Sequence, residues 1–168
     1  MRVAVAEAEK CIPVATAFSV GCVLVTRLPN TSPTIIATGY SREFPGNTHA
    51  EANALTKARN LSPEQMSQLL PNHPGIPLEN VLSFTDVYTT LEPCSVRLSG
   101  LQPCADVLVA AKIKRCIIGV GEPPDFVNCE GAQKLKDARI EVIWLDGLQD
   151  ECLAIARRAP MKDGISNI

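Results

Sequence analysis

The chain has 168 residues, enough to bury roughly two thirds of its unfolded surface around one core. Apolar residues make up 46% and charged residues 20%, which excludes a disordered or collagen-like chain. A balance of 18 acidic against 16 basic residues excludes a strong overall field toward phosphate backbones or anionic lipid. No run reaches the ~20 apolar residues of a membrane span, and Glu7, Glu9 and Lys10 break the N-terminal run where a secretory signal would carry no charge. A cytoplasmic protein is expected, with its seven cysteines kept as thiols or metal ligands.

In chain order, residues 1 to about 11 predict a helix ended before Pro13, and residues 18–26 a strand closed by Pro29, Asn30 and Pro33. Residues 34–40 follow as a second strand, close enough to form an antiparallel hairpin. Residues 49–60 carry Ala50, Ala54, Leu55 and Ala58 and predict a helix with Thr48 as N-cap. Residues 61–83, rich in Pro, Asn and Gln, read as a surface insertion with a helical turn or two over 63–70. A strand is expected over 86–90, a loop to about 103, a helix over 104–112 and a strand over 115–120. A Pro-rich loop to 128 leads to a helix at 131–138, a strand at 140–145 and a last helix at about 148–158. The β-α-β-α-β order of this half requires parallel strands joined by crossover helices. With no repeat and no composition break, residues 1–168 read as one α/β domain.

Chemistry concentrates in three segments, Asn47-Thr48-His49-Ala50-Glu51, Glu92-Pro93-Cys94-Ser95 and Gln102-Pro103-Cys104. One imidazole and two thiolates suit tetrahedral zinc, and three protein ligands leave the fourth position open, as in a catalytic site. Alone, His49 and Glu51 would read as helix-start residues, and the cysteines as buried thiols. Together they match the His-x-Glu and Pro-Cys pattern of zinc deaminases. Glu51, two residues after the histidine, can enter the same cavity without being a ligand. It is then free to take a proton from water and pass it to a ring nitrogen and a departing amine. Cys11, Cys22, Cys116, Cys129 and Cys152 read as packing residues, and His73 as a solvated residue of the insertion.

At these residues the sequence resembles the cytidine deaminase-like superfamily, over nearly the whole chain. Nine residues separate Cys94 from Cys104, where most members have two, and this longer loop is similar to that of the riboflavin-biosynthesis deaminases. Residues 89–100 and 121–131 look like the fungal branch. The resemblance implies a three-layer α/β/α sandwich whose five-stranded mixed sheet has helices on both faces. It also implies a zinc cofactor and a homodimer or larger assembly. The implied substrate is 2,5-diamino-6-ribitylamino-4(3H)-pyrimidinone 5′-phosphate, hydrolysed to the pyrimidinedione with release of ammonia. Bacterial members have Asp-Pro-Asn-Pro where this chain has Glu122-Pro123-Pro124-Asp125, and Asn-Pro where it has Ala17-Phe18, so their substrate contacts do not carry over. They also carry a reductase domain, and the fungal enzyme a domain upstream; these 168 residues have room for neither, as expected of an excised domain or of a stand-alone form.

Around the metal, Arg97 in the inter-cysteine loop is a candidate for the substrate phosphate, or else a solvated loop arginine. Arg42 is a second candidate for that role. Glu122 and Asp125, beyond the end of a strand, could accept from ribityl hydroxyls or pyrimidine amines, or cap their own loop. Competing readings keep the chemistry on a nucleoside, nucleobase or tRNA adenosine, or make the chain a catalytically silent subunit. With 4% aromatic residues and pI 5.7 the chain has little to bind nucleic acid with, and Glu51 has no use in a silent subunit.

Overall fold

The computed structural model describes residues 1–97, 99–123 and 129–160. The elements run α1 (Arg2–Glu9), β1 (Gly21–Thr26), β2 (Thr34–Tyr40), α2 (Ala50–Arg59), α3 (Pro63–Leu69), α4 (Leu78–Leu82) and β3 (Thr85–Leu91). They continue with α5 (Cys104–Ala110), β4 (Arg115–Val120), α6 (Gly131–Asp137), β5 (Glu141–Trp144) and α7 (Gln149–Ala156). Five strands form one mixed sheet in the order β2-β1-β3-β4-β5. The β1–β2 hairpin and the β1–β3 pair are antiparallel, and β3, β4 and β5 are parallel. Helices α2, α5 and α6 pack on one face, α1 and α7 on the other, which makes the expected three layers.

This register decides where chemistry can gather. Gly21 pairs with Tyr40, and Cys22 with Thr89. The start of β1 and the ends of β2, β3 and β4 therefore lie at one edge of the sheet, and the connections 12–20, 41–49, 92–103 and 121–130 all emerge there. Gathering at the carboxyl ends of parallel strands is the usual place for ligands in open α/β sheets. Close approach on the α2 face depends on Gly39, where a Cβ would lie 2.6 Å from the Ala54 nitrogen. Any side chain there would push α2, and the residues it carries, off the sheet.

The core lies between the sheet and α2, α5 and α6, with Leu24, Leu55, Leu108, Ile118 and Leu135 fully buried. Residues 61–83 are a correction to the sequence reading. Leu70, Val81 and Leu82 belong to this core, and Met66, Leu69, Ile76 and Leu78 pack against it, so the segment covers one end of the core. Its α3 begins at a capping box between Ser62 and Gln65 with Pro63 at the first turn, whereas α4 has only five residues and no readable period. Other differences are local. β1 starts at Gly21, three residues later than expected, because Val20 already bonds to Ser41. The helix expected over 104–112 ends at Ala110, and Lys112 is left-handed with φ 53°.

At the opposite edge of the sheet, Asp86 is fully buried. It accepts from Arg27 Nε (2.6 Å), Arg115 Nε (2.7 Å) and Arg115 Nη2 (2.6 Å). Burial alone would push its pKa up. The hydrogen bonds and charges of the two guanidinium groups outweigh it and hold the carboxyl below its ordinary value.

Candidate active site

His49 is the N-cap of α2, extended at φ −100° and ψ 152°. Thr48, expected in that role, instead exchanges hydrogen bonds with the Phe44 backbone and accepts from Asn53 Nδ2 at 3.0 Å. Asn53 also donates to Tyr40 O at 2.8 Å, tying the first turn of α2 to the end of β2. His49 Nδ1 lies 3.5 Å from Cys94 Sγ and 3.4 Å from Cys104 Sγ, and the three atoms lie within 4.8 Å of one another. Zinc bonds of ~2.3 Å to sulfur and ~2.0–2.1 Å to nitrogen at tetrahedral angles place such atoms about 3.6 Å apart, so the donor set fits zinc in kind and spacing.

The nine-residue gap between the cysteines is closed by the start of α5. The Cys104 N–H donates to Cys94 Sγ at 3.3 Å and the Ala105 N–H to Cys94 O at 3.1 Å. A hydrogen bond from the Cys104 thiol, aided by His49 and the Cys104 amide and resisted by burial, lowers Cys94 from the ordinary thiol range. Cys104 is raised in return by that same bond and by burial. The loop carrying Cys94 is braced from α6 through residues the sequence did not single out. Glu92 Oε1 accepts from the Ala132 N–H at 2.8 Å, and Ser95 Oγ from the Glu130 N–H at 3.0 Å. Their only signal in the sequence was adjacency to Pro93-Cys94.

Glu51, in the first turn of α2, is 3% exposed. Its Oε1 lies 3.3 Å from the Thr89 hydroxyl of β3, which is also 2.9 Å from Leu91 O. Burial raises its pKa, the charge of Cys94 adds to this, and His49 opposes it. No cation is paired with it in the described residues. A carboxylate in that environment takes up a proton more readily than one in water.

His49, Glu51 and Cys94 open into a cavity of about 170 Å³ whose wall includes Arg42, Asn47, Arg97 and Glu122 with the apolar Ala17, Phe18, Val20, Leu91 and Val96. Arg97 donates from Nη2 to Asn47 O at 2.5 Å. Arg42 donates from Nη1 to Phe18 O (2.9 Å) and from Nη2 to Ile12 O (3.0 Å) and Ser19 Oγ (3.4 Å). Glu122 Oε2 is buried without a partner among the described residues, and burial chiefly pushes that carboxyl up to about 7. Asp125 lies outside the described residues. The structure thus brings the four metal and proton-transfer candidates together and sets Arg42, Arg97 and Glu122 around them. The other five cysteines contribute no sulfur to the three-ligand cluster. No described helix is long and apolar enough to cross a membrane.

Residues 1–120 match the family model of the cytidine and deoxycytidylate deaminase zinc-binding region. A diaminohydroxyphosphoribosylamino-pyrimidine deaminase of Schizosaccharomyces pombe is 41% identical over 158 residues, covering 94% of this chain and 34% of its own length. The riboflavin biosynthesis protein RibD of Actinobacillus pleuropneumoniae is 32% identical over 137 residues, covering 81% of this chain and 29% of its own. The chain spans about a third of the length of these curated relatives. Among solved structures, the Rib2 deaminase of Aspergillus oryzae, a C-terminal deletion mutant, aligns with a TM-score of 0.70 at 32% identity. The alignment covers 93% of this chain and 87% of that one, and the same protein has been solved in complex with DARIPP.

Proposed function

The chain belongs to the cytidine and deoxycytidylate deaminase zinc-binding family, and from that premise we propose the reaction it carries out. It hydrolyses 2,5-diamino-6-ribitylamino-4(3H)-pyrimidinone 5′-phosphate to 5-amino-6-ribitylamino-2,4(1H,3H)-pyrimidinedione 5′-phosphate and ammonia, a step of riboflavin biosynthesis. The observation that carries the reading is a buried Glu51 opening into the same cavity as a three-ligand set that fits zinc. The names of the relatives, a pyrimidine deaminase and a riboflavin biosynthesis protein, supply the substrate class.

Zinc held by His49, Cys94 and Cys104 supplies a Lewis acid that makes water nucleophilic near neutral pH. Glu51 does the proton work. One carboxylate oxygen accepts the proton that the attacking water gives up, then delivers it to the ring nitrogen beside the amino-bearing carbon. In the second half it takes the proton of the hydroxyl now bonded to that carbon and gives it to the departing amine, which leaves as ammonia while the carbonyl forms. One C–O bond forms, one C–N bond breaks, and one water is consumed for each ammonia released. The Thr89 hydroxyl beside Oε1 limits which way the carboxylate turns. Arg97, at the mouth of the cavity, is assigned to the substrate phosphate. Glu122, with its unpartnered oxygen, is assigned to the amine or ribityl donors, and Asp125 shares that role in this reading.

Residues 1–168 are taken as one deaminase domain acting as a homodimer or larger assembly, to be checked by light scattering. A cytoplasmic setting suits thiolate ligands and seven free cysteines. Ammonia release, with zinc measured on the same sample, tests the function. The ribitylaminopyrimidine phosphate should be turned over in preference to cytidine, cytosine and tRNA adenosine. Efficient deamination of cytidine with none of the ribitylaminopyrimidine would overturn the substrate assignment.

A further inference from the structure

We infer that Arg42 is a positioning residue, whose guanidinium fastens residues 12–20 to the turn leading into His49 and so sets the shape of one wall of the cavity. The inference rests on the proposed deaminase reading only for its kinetic test. Residues 12–20 contain no helix or strand, only an isolated bridge between Val14 and Ala17, yet they contribute Thr16, Ala17, Phe18 and Val20 to the wall. A segment without a ladder keeps its shape through bonds to its surroundings. Arg42 supplies three of these, to Ile12 O, Phe18 O and Ser19 Oγ. Ser41 adds three around Val20.

The backbone of Arg42 points the same way. Its φ of 63° is left-handed, a conformation that favours glycine or asparagine. An arginine there is explained by what its side chain holds. Its own N–H donates to Thr48 O at 2.7 Å, closing the turn that ends on His49. One residue therefore links wall, turn and metal ligand. The same geometry speaks against Arg42 as the phosphate contact. Three guanidinium bonds already go to protein acceptors, and Nε is buried without a partner among the described residues. An atom closed to water is closed to a phosphate oxygen unless the side chain first lets go of the wall.

The zinc-loaded chain and its Arg42→Ala and Arg42→Lys variants provide the test. In Arg42→Ala, amide exchange over 12–20 should accelerate roughly tenfold or more, the scale of losing hydrogen bonds to a charged group, with zinc and exchange in α2 unchanged. KM should rise by the same factor for the phosphorylated pyrimidine and its dephosphorylated analogue, with kcat little altered. Arg42→Lys, lacking the planar fork, should restore only part of both. A KM rise confined to the phosphorylated compound would make Arg42 a phosphate ligand and overturn the inference, as would unchanged exchange. If the wild type turns over neither compound, the proposed function fails while the exchange result still decides the role of Arg42. Should Arg42→Ala not fold, exchange in Arg42→Lys decides it.

Discussion

Two buried carboxylates sit near opposite ends of β3 in opposite company. Asp86, at the start of the strand, is clamped by two arginines and held in its charged form. Glu51, against Thr89 toward the other end, has a hydroxyl, a thiol and an imidazole nearby and no Lys or Arg paired with it among the described residues, and burial raises its pKa. Burial is nearly equal, at 0% and 3% exposure, so burial does not separate them. Partners do. A carboxylate clamped by two guanidinium groups is a fixed strut, while one held by a single hydroxyl beside an open cavity is placed to exchange a proton with what the cavity holds.

The largest effect is expected at the metal ligands. Cys94→Ala or Cys104→Ala should take zinc from one per chain to near none and turnover to background, because two remaining ligands do not hold the ion. Full zinc by elemental analysis in both variants would remove the metal from the account.

On the Asp86 side, Asp86→Asn should cost about 3 kcal/mol in denaturant unfolding while leaving kcat/KM close to wild type. This is the low end for removing one partner of a buried pair, since both guanidinium groups keep contact with solvent. A loss of turnover without loss of stability would show that the two ends of β3 are coupled. The pH dependence follows in sign. A folded-state pKa below the unfolded value means that this stability is present above about pH 4 and fades as pH falls through the lower folded value. Wild type and Asp86→Asn should therefore converge in stability in acid. A gap that widens there would contradict the clamp.

The smallest effect expected is at the mouth of the cavity. Arg97→Ala should raise KM several-fold for the phosphorylated pyrimidine and hardly at all for the dephosphorylated analogue, as loss of one exposed charge-assisted contact would. Equal KM values for wild type and variant on the phosphorylated compound would move the phosphate elsewhere.

Local signals carried most of the fold. β2 and β4 have the bounds read from the sequence, because alternation or a β-branched run ended at clear turn residues. His49, Glu51, Cys94 and Cys104 were legible because their chemistry is rare in combination. What stayed hidden depends on distance along the chain. Asp86 meets Arg27 and Arg115 from 59 and 29 residues away, and nothing local marks either arginine as a clamp. Arg42 reads as a candidate for the substrate phosphate until the structure shows it on carbonyls 24 and 30 residues back. Val81 and Leu82 sat in a Pro- and Asn-rich stretch whose composition says loop, although tertiary packing buries them.

Glu51→Gln, with turnover, zinc content and unfolding midpoint taken on one sample, tests the contrast between the two carboxylates most directly. The amide keeps the shape of the side chain and cannot carry the proton. The expected result is zinc at one per chain, an unfolding midpoint no lower than wild type, and kcat down toward the ~10⁴-fold end of what loss of general acid–base catalysis costs. A variant that turns over within a few-fold of wild type, or that loses its stability along with its activity, would mean that Glu51 is a strut like Asp86 and that another group moves the proton.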